Sequence, residues 1–179
     1  RIPLLKQKKY PEALVLYMQH HQEEMLSSRR LFNTDYYFLI LQDLHPEYHQ
    51  TDYKSLEKEI LEARVKNDGV PLSETFEEIA TSYFSFSKQE NLDQNESLFY
   101  QNRAIVVQKN LIKSKSNEDI QLFEDYFTLG KYQLAFGDRK EALDSLEKSV
   151  RLTEVPGVLP KFRYETPEKV GLLLFDYGI

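Results

Sequence analysis

The chain contains no cysteine and no tryptophan, and only six glycines and seven prolines punctuate its 179 residues. Without cysteine there are no disulfides, thiolate metal sites or cysteine nucleophiles, which fits a reducing, cytoplasmic setting. No apolar run approaches the roughly 18–20 residues that cross a bilayer; YYFLIL has six residues and LLLF four. No signal peptide is visible. An excess of positive charge is missing too. A net charge of −6 and a pI near 5.3 exert no general pull on nucleic acid or anionic lipid. The short basic groups (Lys6, Lys8 and Lys9; Arg29 and Arg30; Lys113 and Lys115) are each followed by acidic stretches and read as solvated helix surface.

What remains is rich in Leu, Glu, Lys and Gln, with apolar residues at helical spacing and no convincing period-two alternation. The reading is all-α, with about eight helices. Short side chains that can cap free amides stand before most of them: Asn33, Asp52, Ser73, Asn95, Asn117 and Asp138. Asp138 has Glu141 three residues on, the spacing of a capping box. Thr166 followed by Pro167 predicts the start of a C-terminal helix over 166–177, and Pro11 suits a first helical position near the beginning. NDGVP (67–71), KSKSN (113–117) and EVPGVLP (154–160) mark helix ends. Short links between helices favour antiparallel neighbours.

No catalytic constellation emerges. His20 and Glu24 lie one turn apart, and His45 and His49 have a metal-ligand spacing, but Pro46 interrupts any helix that would carry the second pair. No serine has a nucleophile-elbow context, and no glycine-rich loop could cradle phosphate. The acidic pairs Glu23/Glu24 and Glu77/Glu78 fall on polar helix faces. The expectation is a non-enzyme with no cofactor and no metal.

Two glycines interrupt the periodic stretch LGKYQLAFGDRKEALDSLEKSVRL (129–152), although glycine costs about 1 kcal/mol against alanine inside a helix. Gly130 falls in the apolar stripe of Phe123, Tyr126, Phe127 and Leu134, where a missing side chain lets a neighbouring helix come close. Gly137 sits at a junction, where it can take the left-handed conformation that ends a helix. The helix that follows has one apolar face, with Ala142, Leu143, Leu146, Ser149 and Val150, and an outer Glu147–Arg151 pair.

Tyr126, Leu129, Gly130, Gly137, Asp138, Glu141, Ala142, Leu143, Leu146, Lys148 and Ser149 together resemble a tetratricopeptide repeat (TPR), over residues 123–154. Ser149 stands where alanine is commoner, and Pro156 follows slightly late. Partial units fit 8–30, with Ala13 as the small crossing residue, and 73–112, with Ala80; residues 33–66 pair by periodicity alone. The resemblance implies an α-solenoid of degenerate antiparallel helix pairs, one repeat domain over 1–179. It also implies a longer parent chain, because the first helix of the 8–30 unit would lie upstream of Arg1.

In such arrays the first helices line a concave face that binds a protein or peptide segment. On this sequence that face would carry Tyr37, Leu41, Glu77, Thr81, Phe84, Phe127, Lys131 and Leu134. The carboxylate-gripping subtype is disfavoured, since only Lys131 offers a suitable cation and Glu77 and Glu124 oppose it. The apolar helix KVGLLLFDYG (169–178) needs cover, either from the preceding pair or from a second chain in a homodimer. The alternative reading is the ligand-sensing and dimerisation domain of a larger bacterial peptide-responsive transcriptional regulator, which such Tyr/Phe/Lys/Glu-rich repeats also resemble.

Overall fold

The computed structural model describes residues 54, 57, 58, 60–90 and 92–179. The expectations at Ala13, Tyr37 and Leu41, the unit at 8–30, most of that at 33–66, the starts at Pro11, Asn33 and Asp52, and all four histidines lie outside these residues. The chain divides into two units, Arg1–Ser82 and Tyr83–Ile179. Among the described residues every regular element is helical. A π-helical stretch, Glu62–Asn67, precedes α1 (Leu72–Ser87), α2 (Gln94–Lys113), α3 (Leu122–Ala135), α4 (Arg139–Leu152) and α5 (Phe162–Asp176).

In the first unit the π-helical stretch leads into Gly69, whose φ of 65° suits only a residue without Cβ, and Val70 N–H closes the turn on Arg64 O at 2.9 Å. The wide π turn carries Arg64, which holds the Glu78 carboxylate of α1. Arg64 Nη2 donates to both Oε1 and Oε2, at 2.7 and 2.8 Å. Helix α1 begins at Leu72, one residue before the expected cap Ser73, because Pro71 supplies the first carbonyl and accepts from Thr75 N–H at 3.1 Å. Thr75, Ile79 and Ala80 form its buried stripe.

In the second unit the end of α1 and the start of α2 meet through aromatic rings. Tyr83 and Phe86 lie 6.2 and 5.7 Å from Tyr100, centroid to centroid, and Ser97 Oγ donates to Ser87 O. The cap of α2 is Asp93, whose Oδ1 accepts from Glu96 N–H at 2.8 Å, and not Asn95. A carboxylate at the positive helix end outcompetes the neutral amide two residues later. Helix α3 begins at Leu122 and not just after Asn117. Ser116 Oγ and Asp119 Oδ1 accept from Glu118 and Gln121 N–H, tying 116–121 into local turns that replace the first helical turn.

Helix α3 is buried on two sides. Toward α2, Gln108 Nε2 donates to Asp125 O at 2.9 Å, and Lys115 Nζ pairs with Asp125 Oδ2 at 2.6 Å in a nearly buried contact. Toward α4, Ser145 Oγ donates to Gln133 Oε1 at 2.6 Å and Ser149 Oγ to Phe123 O at 2.5 Å. The order of these contacts makes α3 and α4 antiparallel.

The three residues between them form a complete Schellman turn. Gly137, at φ 82°, donates to Leu134 O, and Asp138 N–H reaches back to Gln133 O. Asp138 Oδ1 then accepts from Glu141 N–H and caps α4. The reciprocal half of the capping box is replaced, since the Asp138 amide already serves the turn. The buried face of α4 consists of Ala142, Ser145, Leu146 and Ser149. Leu143 points out at 42% exposure and Val150 is only half-buried, which corrects the expected stripe.

Helix α5 starts at Phe162, four residues before the expected cap Thr166. Its first turn is built on successive i→i−3 bonds from Phe162, Arg163 and Tyr164, so the chain is already helical when it reaches Pro167. Thr166 is buried, and Pro167 lies inside the helix, where it denies Arg163 O an amide partner. Phe162 packs on Phe123, with centroids 4.9 Å apart. Further along, Val170, Leu173 and Leu174, with Phe127 of α3, pack on Leu134, Ala142 and Leu146. Helix α5 therefore packs on the α3–α4 pair, its start against Phe123 and its middle against Leu134, Ala142 and Leu146.

Candidate partner-binding surface

The residues expected where helices touch occupy tight positions. A Cβ placed on Gly130 would lie 2.7 Å from Leu146 Cγ and Cδ2 and 3.3 Å from Ala142 O, so α4 rests on the bare backbone of α3 there. Leu129, Ala142 and Leu146 are buried, Ala80 is fully buried in the first unit, and Tyr126 is half-buried under Lys148 Nζ at 5.5 Å.

The residues expected on an open groove do not behave alike. Leu134 is only 3% exposed, covered by Val170, Leu173 and Leu174 of α5, and Phe127 is half-buried against the same cluster. Reading Leu134 as open is thereby corrected. Its place was judged from its own helix, and the cover comes from another. In the first unit Glu77 and Thr81 are exposed and line, with Glu74 and Glu78, an open acidic depression of about 280 Å³. Three carboxylates around one small space give it a negative surface, relieved at Glu78 by Arg64.

The second unit holds the more distinctive chemistry. Phe84 stacks on Tyr132 with centroids 4.4 Å apart and leans on Phe136 at 5.9 Å. Two ammonium groups reach over the Phe84 ring, Lys88 Nζ at 4.2 Å from its centroid and Lys131 Nζ at 5.8 Å. Both lysines are exposed and Phe84 is half-buried, so ring and cations share an accessible surface. Each cation–π approach is worth roughly 0.5–1 kcal/mol at such a site, and together they hold two flexible side chains over one spot.

Lys88 had no signal of its own. It lies just past the end of α1, where its charge favours the helix C-terminus, and four residues after Phe84, the spacing at which helical side chains meet. Two neighbouring ammonium groups beside an aromatic wall can accept an anionic side chain and an apolar or aromatic neighbour at once.

Among the described residues no three His, Cys, Asp or Glu side chains are placed to hold a metal ion, and no helix is long and apolar enough to cross a membrane. No family model, curated protein or solved structure matches the chain.

Proposed function

We propose that this chain is a non-catalytic, TPR-like α-solenoid that binds a protein or peptide segment, with acidic residues of the partner seated on the Lys88–Phe84–Lys131 surface. The observation that supports the reading is a recurring glycine interval. Gly130 and Gly137 are followed 41 residues later by Gly171 and Gly178, at the same separation, on α5 and its C-terminal turn. Gly178 has φ 72°, and Gly178 and Ile179 donate to Phe175 O and Leu174 O, repeating the Schellman turn of Gly137.

Stacking of helix pairs with a fixed offset is how solenoids extend. The offset exceeds the roughly 34 residues of a TPR, and the link 153–161 and the turn of α5 before Pro167 accommodate the excess. On this reading the rings of Phe84, Tyr132 and Phe136 supply rigid contact area at low entropy cost, and the lysines select charge.

A random peptide library displayed on phage and panned against the immobilised chain tests the reading. Selected peptides should be enriched in Asp or Glu next to an aromatic or aliphatic residue. Lys88→Glu with Lys131→Glu should weaken their binding at least tenfold while leaving the melting temperature within a degree or two. A failure to enrich any sequence, or enrichment indifferent to the double reversal, would overturn it.

A further inference from the structure

Lys88 and Lys131 are matched differently from the other partnered cations of the chain. Arg64 has the Glu78 carboxylate, Lys115 has Asp125 and Arg151 has Glu147. Lys148 and Lys161 each lie over a ring of their own, Tyr126 at 5.5 Å and Phe162 at 5.0 Å. Lys88 and Lys131 instead share the ring of Phe84, and among the described residues no carboxylate pairs with either. A ring has no net charge, so two positive charges stand together in solvent with nothing to neutralise them.

The positions from which they project are fixed. Tyr132, only 4% exposed, stacks on Phe84 and is the next residue after Lys131, while Lys88 follows Phe84 by one helical turn. The Phe84–Tyr132 stack therefore brings a cation from α3 and one from the end of α1 over a single spot before any partner arrives. Such preorganisation lowers the ordering cost of binding. Two converging cations suit one compact group of charge near −2. A lone carboxylate would leave half of their charge unmet.

We propose that the acidic group seated here is the phosphate monoester of a phosphoserine or phosphothreonine in the partner segment. The inference rests on the peptide-binding reading above and names its anion. A phosphate monoester carries about −1.5 to −2 charge at pH 7 and three strong acceptor oxygens. It accepts from Lys88 Nζ and Lys131 Nζ together, lysine acting at phosphate as a point charge, and the edge of Phe84 offers the ester carbon an apolar contact. A short peptide is the source of the phosphate because a net charge of −6 opposes a polyanion such as nucleic acid or an anionic bilayer, whereas one dianion needs only these two cations.

Three libraries of short peptides with degenerate flanks and a fixed central phosphoserine, glutamate or serine, passed over the immobilised chain, test the proposal. The phosphoserine library should be retained at least tenfold more strongly than the glutamate library, and the glutamate library more strongly than the serine one. Lys88→Met and Lys131→Met, both at exposed side chains, should each bring phosphoserine to within about threefold of glutamate, with melting curves showing that the fold persists. Inorganic phosphate at about 1 mM should displace less than half of the bound phosphopeptide. Equal retention of phosphoserine and glutamate above serine would overturn the phosphate assignment and leave the carboxylate reading standing. Retention of neither above serine would overturn both. A phosphoserine preference that survives either lysine change, or ready displacement by free phosphate, would also overturn the assignment.

Discussion

Gly130 and Gly171 occupy matching places in α3 and α5, each seven residues before a glycine in the left-handed conformation. Around Gly130 the space is full: Leu146 and the Ala142 carbonyl lie where a side chain would go. Around Gly171 it is empty. The same residue thus costs helix stability in both places, but only at Gly130 is the loss offset by helix packing within the chain. A glycine in a helix is informative once its neighbours are known, because the backbone penalty is common to all of them and the compensation is local.

The largest effect expected from breaking this comparison is at Leu146, which is 1% exposed. Leu146→Ala should cost about 2–5 kcal/mol, the range for a buried leucine that leaves a cavity. Urea denaturation followed by far-UV circular dichroism measures it. In that background Gly130→Ala should turn stabilising, since the atoms that a new Cβ would strike are gone. Independent losses from the two changes would mean that Gly130 and Leu146 are not coupled.

In the parent chain the same substitution should have opposite signs at the two glycines. Gly130→Ala forces Leu146 or the α4 backbone aside, an overpacking cost of about 1–3 kcal/mol, partly offset by the roughly 1 kcal/mol gain in helix propensity. A net loss of about 1 kcal/mol lowers Tm by roughly 2–4 °C. Gly171→Ala meets no obstacle and should raise stability by about 0.5–1 kcal/mol. Measurements at low micromolar concentration keep association out of the comparison. Equal signs would mean that the slot at Gly130 yields freely.

A smaller contrast separates the two turns. Gly137 sits between packed helices at φ 82°, a conformation that costs other L-residues about 1–2 kcal/mol. Gly137→Ala should be destabilising by that amount. Gly178, at φ 72°, holds only the last turn of α5. The same change there should cost a few tenths of a kcal/mol, because a fraying helix end adds little to global stability. Similar values at both positions would mean that the last turn of α5 unfolds only with the whole.

Much of the α3–α4 pair was legible in the sequence because glycine, aspartate and alanine stand where backbone geometry demands them. What failed had identifiable causes. Counting apolar residues chose Leu143 over Ser145, yet a serine whose hydroxyl finds Gln133 is at home in a core. The Thr166–Pro167 signal is local, and it misled because helical turns had already formed upstream of it. Leu134 was placed on an open groove because α5, which covers it, could not be positioned from periodicity. Lys88 stands four residues after Phe84, a spacing that was legible in the sequence but was not read as a pair. The interval from Gly171 to Gly178 was present in the sequence as a copy of the first, but it was read only as part of an apolar helix.

The smallest expected effect sharpens the comparison between exposed apolar residues of α4 and α5. Leu143 and Phe175 are both exposed, at 42% and 78%, so Leu143→Gln and Phe175→Ser should each leave stability within about 0.5 kcal/mol. Their settings differ. Leu143 stands among Arg139, Lys140, Asp144 and Glu147 on α4, and charged neighbours keep water around it. Phe175 continues a stripe with Leu172 and Tyr164, so its solvent exposure is shared with other apolar groups. Sedimentation at high concentration should therefore change for Phe175→Ser and remain that of the parent for Leu143→Gln. An equal response to both would mean that association follows total exposed apolar area and not the continuity of the stripe.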